Sequence, residues 1–162
     1  MPYSKVLARD IMNEDPPYCD LDTPITDIFH RFVKENLSGL LVVDEEKRLF
    51  GLITETDLIE REANLHVPTV VALFDMVIPM GESRFEEELA HLQAMKAGDM
   101  IHEEITTVNA DSNLNEIASM MIDMHVHHLP VLDGDFVVGL ICKHDVIKAM
   151  VECRENPVPA HS

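Results

Sequence analysis

The sequence predicts an α+β fold built from two copies of one small unit, each a short sheet packed against two helices. Three observations carry this expectation. The chain matches itself at a nearly fixed offset, and each matching half switches between helical and strand-like hydrophobic spacing. Apolar residues also make up 46% of the 162 positions, enough to give the chain a real core. Internal repeats define an architecture before any single element does. A shift of 89 residues places ARDIM (8–12) on AGDMI (97–101), DTPITDI (22–28) on DSNLNEI (111–117) and GLLVVD (39–44) on HLPVLD (128–133). A one-residue deletion then lowers the offset to 88, and GLITETDLI (51–59) falls on GLICKHDVI (139–147).

Each element follows in order. A leading extended segment opens each half. Thr23 or Ser112 then serves as a helix cap, and Pro24 suits a first helical position. Ile25, Ile28, Phe29, Phe32 and Val33 follow helical spacing, as do Leu114, Ile117, Ala118, Met121 and Ile122 in the second half. A short apolar strand follows, GLLVVD or HLPVLD. Asp133-Gly134 is a strong hairpin signal and Glu45-Glu46-Lys47 a weaker one. A second strand, RLFGLIT or FVVGLIC, leads into a closing helix, DLIERE or DVIKAMVE. The expected division is repeat 1 over 5–61, a long helical connector over 62–96, repeat 2 over 97–152 and a tail over 153–162. The two repeats are expected to pack about a pseudo-twofold axis, because neither buries its sheet alone. The connector includes PTVVALFDMVIPM (68–80), either a connection packed on its own core or a subunit interface.

Composition narrows the function. Thirty acidic against twelve basic residues give a formal net charge of −18, which repels nucleic acid and anionic membrane surfaces. Three scattered cysteines, Cys19, Cys142 and Cys153, form no CxxC and point to a reducing compartment. No apolar run reaches membrane-spanning length and no signal-peptide core opens the chain, so a cytoplasmic location is expected. No paired nucleophile and base, GxSxG, GxxxxGK[ST] or HExxH occurs, so no enzyme is expected. HVHH (125–128) would place His125 and His127 on one strand face, but no third metal ligand is identifiable and no metal is expected.

GLITETD sits where a strand ends and a helix begins. Unpaired N–H groups at a helix start attract anions such as phosphate. Gly51 permits a bend or a close approach. Thr54 offers a hydroxyl, and Asp57, acceptor-only when ionised, suits the paired hydroxyls of a ribose. On these residues alone, Thr54 and Asp57 read equally as ordinary helix caps.

Taken together, ARDIM…DTPITDI…SGLLVVD…GLITETD and AGDMI…TTVNADSNLNEI…HHLPVLD…GLICKHD resemble the cystathionine β-synthase (CBS) domain pair, or Bateman module, in its stand-alone bacterial form. The resemblance covers about residues 5–61 and 94–152. It implies adenosine-nucleotide binding in two clefts between the repeats. The primary cleft would use Thr54 and Asp57, an adenine wall of Ile105, Thr107 and Val108, and His127 and His128 near the phosphates. The second would use Tyr18, Cys19, Ser38 and Gly39 with Cys142, His144 and Asp145. Cys142 replaces the threonine there, and a thiol donates weakly; this cleft is expected to be weaker, empty or specialised. Met12 and Met100 are candidates for lining the clefts.

The resemblance implies an energy-sensing regulator that binds AMP, ADP or ATP, needs no resident cofactor, forms a homodimer and acts on an unidentified protein partner. An S-adenosylmethionine-binding pair and a purely structural dimerisation module are the alternatives. A metal-dependent enzyme centred on HVHH is the weakest.

Overall fold

The computed structural model describes residues 2–63, 94–102 and 104–155. Most of the expected connector (64–93), its interface role and the end of the tail lie outside these residues. The chain divides into two compact units whose segments interleave in sequence. The N-terminal unit is Pro17–Glu45 with Phe50–Glu103. The C-terminal unit is Met1–Pro16, Glu46–Leu49 and Glu104–Ser162.

In the N-terminal unit, β1 (Tyr18–Cys19) is followed by α1 (Ile25–Lys34), β2 (Gly39–Val43), β3 (Leu49–Thr54, entering this unit at Phe50) and α2 (Glu55–Ala63). A single 3-10 turn, Ala97–Asp99, closes it. The C-terminal unit opens with a 3-10 turn over Pro2–Lys5 and a one-turn helix, Ala8–Ile11. It continues with β4 (Val108–Asn109), α3 (Leu114–Asp123), β5 (His128–Asp133), β6 (Phe136–Cys142) and α4 (Lys143–Glu155).

Each sheet has three strands, in the orders β1-β2-β3 and β4-β5-β6. β1 runs parallel to β2, pairing Cys19 with Val42, and β4 runs parallel to β5, pairing Val108 with Val131. These two-residue strands are finer than the sequence pattern resolves. β5 and β6 are antiparallel from His128↔Cys142 to Asp133↔Phe136. The hairpin loop is therefore Gly134-Asp135, with Asp133 the last strand residue and Gly134 at φ +65°.

The predicted helices form, with two corrections. Thr23 and Ser112 do not cap them. Thr23 Oγ accepts from Asp20 N–H at 3.3 Å and Ser112 Oγ from Asn109 N–H at 3.2 Å, so each hydroxyl closes the preceding turn. Pro24 and Asn113 are the N-caps, and Asn113 accepts from Glu116 N–H at 3.0 Å. Val33 and Ile122, equivalent positions on the expected apolar stripes, are 75% and 72% exposed. The buried stripe is narrower: Ile25, Ile28, Phe29 and Phe32 in α1, and Leu114, Ile117 and Met121 in α3.

Both helices end alike. Asn36 and His125 each have φ +53°, and Leu37 N–H reaches back to Phe32 O at 3.0 Å as Val126 N–H does to Met121 O at 3.1 Å. A left-handed residue followed by this long backward bond satisfies the last carbonyls of a helix.

The leading segments are exchanged. Met95 O accepts from Ile25 N–H at 3.0 Å, Thr23 O from Ala97 N–H at 2.9 Å, and Leu21 O from Gly98 N–H at 3.0 Å. In the C-terminal unit Val6 O accepts from Leu114 N–H at 2.8 Å, Ser112 O from Ala8 N–H at 2.8 Å, and Ala110 O from Arg9 N–H at 3.2 Å. The segment before one repeat thus supplies the first acceptor to the main helix of the other. Ala8 and Ala97 are fully buried by this docking. Asp10 and Asp99 fix the turn of each leading segment by accepting from Leu7 N–H and Lys96 N–H, both at 2.9 Å.

The cores follow the same division. One gathers Ile25, Ile28, Leu40, Val42 and Ile53 with Ala97 and Met100; the other gathers Leu114, Ile117, Leu129, Val131 and Ile141 with Ala8. Met100 is thus a core residue of its unit, while Met12 lies half-buried against Gly139.

Candidate functional site

At the two strand–helix junctions both units set a carboxylate against the backbone N–H groups of a helix start. α2 starts at Glu55 directly after β3, and α4 starts at Lys143 directly after β6. Such abrupt starts leave N–H groups that need acceptors. The carbonyl before β2 or β5 supplies one: Glu55 N–H donates to Ser38 O at 3.3 Å, and Lys143 N–H to His127 O at 2.9 Å.

At the first junction Thr54 and Asp57 form a reciprocal cap. Asp57 Oδ2 accepts from Thr54 N–H at 2.8 Å and from Thr54 Oγ at 3.1 Å, while Asp57 N–H points to Thr54 Oγ at 3.4 Å. This is the pattern that ties a threonine N-cap to an acid three residues on. The other oxygen, Asp57 Oδ1, lies 3.0 Å from His102 Nε2. The Asp57 side chain is only 14% exposed, against 67% for His102. His102 is the residue that sequence reading missed.

The second junction repeats half of this. Asp145 Oδ2 accepts from Cys142 N–H at 2.8 Å. Among the described residues, Asp145 Oδ1 has no hydrogen-bond donor. The position equivalent to His102 is Asn13, whose Oδ1 is turned to accept from Asp15 N–H at 3.0 Å. The Asn13 backbone exchanges two bonds with Leu140, at 2.9 and 3.1 Å. The first turns also differ in charge: Glu55 and Asp57 against Lys143, His144 and Asp145.

Gly51 and Gly139 have a packing reason. A β-carbon on Gly51 would lie 2.5 Å from Ile101 Cγ2, and one on Gly139 would lie 2.5 Å from Met12 Sδ and 3.0 Å from Asn13 O. The close approach that the glycine permits is made by the exchanged leading segment.

The remaining candidates distribute as follows. Tyr18 is exposed at the edge strand, and its carbonyl accepts from Arg31 Nη1 at 2.9 Å. Cys19 is 8% exposed, its side chain in the core, where burial pushes the thiol pKa up against the opposing pull of the Thr23 hydrogen bond and the Arg31 charge. Ser38 is half-buried and Gly39 buried at the entry of β2. Ile105 and Thr107 are half-buried, and Val108 belongs to a core.

His128 opens β5 opposite Cys142, His127 precedes it exposed, and His144 is exposed on α4. Within its own unit, the structure brings Thr54 to Asp57, Cys142 to Asp145, and His128 to Cys142. His125 and His127 do not share a strand face as expected: the strand begins at His128, and His125 is the left-handed residue that ends α3. Among the described residues no group of three or more His, Cys, Asp or Glu side chains is arranged to hold a metal. No helix among them is long and apolar enough to cross a membrane.

Comparison with known proteins bears on the family and the fold. An uncharacterised protein of Methanocaldococcus jannaschii is 24% identical over 155 residues, covering 90% of this chain and 92% of that protein. CBS domain-containing protein CBSX3, mitochondrial, of Arabidopsis thaliana is 26% identical over 144 residues, covering 86% of this chain and 59% of its own length. Among solved structures, CBSX2 in complex with AMP superposes with a TM-score of 0.71 at 18% identity, covering 92% of this chain and 98% of that one. A CBS domain pair in complex with 5′-methylthioadenosine and S-adenosyl-L-methionine gives a TM-score of 0.67 at 19% identity, over 90% and 96% of the two chains. The family model for the CBS domain matches twice, over residues 8–64 and 97–152. The chain belongs to the CBS domain family and carries two copies of that domain.

Proposed function

We propose that the chain is a regulatory module that binds an adenosine nucleotide, AMP, ADP or ATP, through the acids Asp57 and Asp145. The single observation that carries this is the equivalence of the two half-buried carboxylates, each fixed through Oδ2 at the start of a helix. Such a carboxylate offers Oδ1 to a vicinal diol, and the adjoining helix start favours a phosphate. A fold shared with structures holding AMP or S-adenosylmethionine supports the ligand class.

In this reading Thr54 serves the phosphate side of the Asp57 site, with Ile105, Thr107, Val108, His127 and His128 contributing by resemblance to the family. Tyr18, Cys19, Ser38 and Gly39 join Cys142, His144 and Asp145 in the other site. Cys19 takes part through its main chain, since its side chain is buried. The reading includes a cytoplasmic, non-catalytic chain that acts as a homodimer on a further protein. Three cysteines that form no disulfide with one another agree with a reducing compartment, and exposed Ile59 and Ile147 at equivalent positions agree with self-association.

Two rivals have their own support. S-adenosylmethionine also presents a ribose, and a fold relative binds it. A purely structural module is favoured by the caps themselves, because Asp57 and Asp145 already satisfy backbone donors. Calorimetric titration of nucleotide-stripped protein with AMP, ADP, ATP and S-adenosylmethionine separates the three. The expected outcome is saturable heat with an adenosine nucleotide, abolished in the double variant D57A/D145A that remains folded by circular dichroism. Heat only with S-adenosylmethionine transfers the reading to that ligand. No heat with any of the four leaves the structural module.

A further inference from the structure

We propose that His102 is a specificity-determining residue that occupies the ligand-facing oxygen of Asp57, so that a ribose must displace it there and the Asp145 junction fills first. The inference rests on the adenosine reading above. Asp57 has two oxygens. Oδ2 is committed to the Thr54 N–H and hydroxyl, and Oδ1 is met by His102 Nε2 at 3.0 Å. A carboxylate only accepts, so Nε2 is the donor in this contact. An incoming diol therefore finds the Asp57 carboxylate already matched and must exchange one hydrogen bond for another.

The C-terminal unit differs at each of these points. Asn13 stands where His102 does and is turned to Asp15 N–H. Asp145 Oδ1 is without a donor among the described residues. A half-buried acceptor with no donor among the described residues gains a hydrogen bond from a ligand hydroxyl without giving one up. Charge acts in the same direction. α4 opens with the cation Lys143 near Asp145, and a cation attracts a phosphate, whereas α2 opens with the anion Glu55 near Asp57, and an anion repels one. Cys142 weakens one donor of the Asp145 junction, but the occupied carboxylate and the acidic first turn weigh more heavily against the Asp57 junction. His102 is mostly exposed and so is free to swing away, which makes it a displaceable occupant rather than a fixed plug.

The test uses the full chain, stripped of nucleotide, and AMP as the probe. Calorimetry on D57A and D145A ranks the junctions: the larger loss of AMP affinity is expected in D145A, and a larger loss in D57A overturns the order. In the D145A background, H102N installs the residue found at the equivalent place, and H102A removes the donor. Both are expected to bind AMP about three- to tenfold tighter than D145A, the effect of one hydrogen bond no longer given up. Equal or weaker binding overturns the gate alone. The His102 imidazole resonances of ligand-free protein are expected to shift on D57N, and no shift overturns the contact whether or not AMP binds. Absence of binding of AMP, ADP and ATP alike to the wild-type chain overturns the adenosine-nucleotide reading and the His102 proposal together.

Discussion

Ile101 occupies the space a side chain at position 51 would need: a β-carbon on Gly51 would lie 2.5 Å from Ile101 Cγ2 and 2.6 Å from Ile101 Cβ. A β-branched side chain cannot rotate both atoms away at once. Gly51→Ala is therefore expected to destabilise the protein by about 1–3 kcal/mol, the usual cost of overpacking. Gly139→Ala meets the flexible Met12 thioether first and is expected to cost less. Thermal melts of the two variants check the order, and equal melting temperatures would contradict it.

The junction acids act in the absence of any ligand. Asp145 Oδ2 holds the Cys142 N–H, and Asp57 Oδ2 holds the Thr54 N–H and hydroxyl. D57A and D145A are each expected to lose about 0.5–2 kcal/mol of stability in nucleotide-free protein. Urea unfolding measures this. Unchanged midpoints would show that these contacts do not contribute to the folded state.

The left-handed residues that end α1 and α3 invite glycine. Asn36→Gly and His125→Gly remove a side chain that crowds the backbone at φ +53° and are expected to raise stability, by about 0.5–1 kcal/mol after the entropy of glycine is counted. His125→Ala is expected to lower it. A His125→Gly variant that loses stability would contradict the capping role.

The cysteines are expected to react in order of exposure. Cys142 is half-buried, whereas Cys19 and Cys153 are buried. At neutral pH, Cys142 is expected to take iodoacetamide first. Burial raises the Cys19 pKa, so its protonated form belongs to the folded state. The corresponding stability is fully present below the ordinary thiol pKa, near 8.5, and is lost as pH rises through the elevated value. Cys19→Ala is expected to flatten that alkaline decline in urea midpoints measured from pH 7 to 10. An unaltered decline would assign it to other groups.

Much of this was readable in the sequence because a repeat supplies its own control. The match of ARDIM to AGDMI reflects buried Ala8 and Ala97 and the two aspartates that fix the turns of the exchanged segments. The match of GLITETD to GLICKHD reflects a glycine under a neighbouring side chain and a capping acid. What stayed hidden is tertiary. Thr23 and Ser112 precede helices as caps do, yet their hydroxyls turn back, because the exchanged segment already supplies the acceptor that the helix needs. Val33 and Ile122 have helical spacing, but the buried stripe is narrower than that spacing. His102 sits 45 positions from Asp57, and its repeat equivalent is an asparagine, so neither local pattern nor self-comparison exposes the pair.

The exchange of leading segments makes the pair, rather than the single repeat, the smallest piece of this chain that can stand by itself. Severed within 64–96, the N-terminal fragment would carry Val6 and Ala8 away from Leu114 and Ser112, and the C-terminal fragment would carry Ala97 away from Thr23. Neither fragment would own a finished unit, and each would hold the missing piece of the other. Two such halves, made separately, are built to find one another, and a gene for one repeat alone encodes half of two things instead of the whole of one.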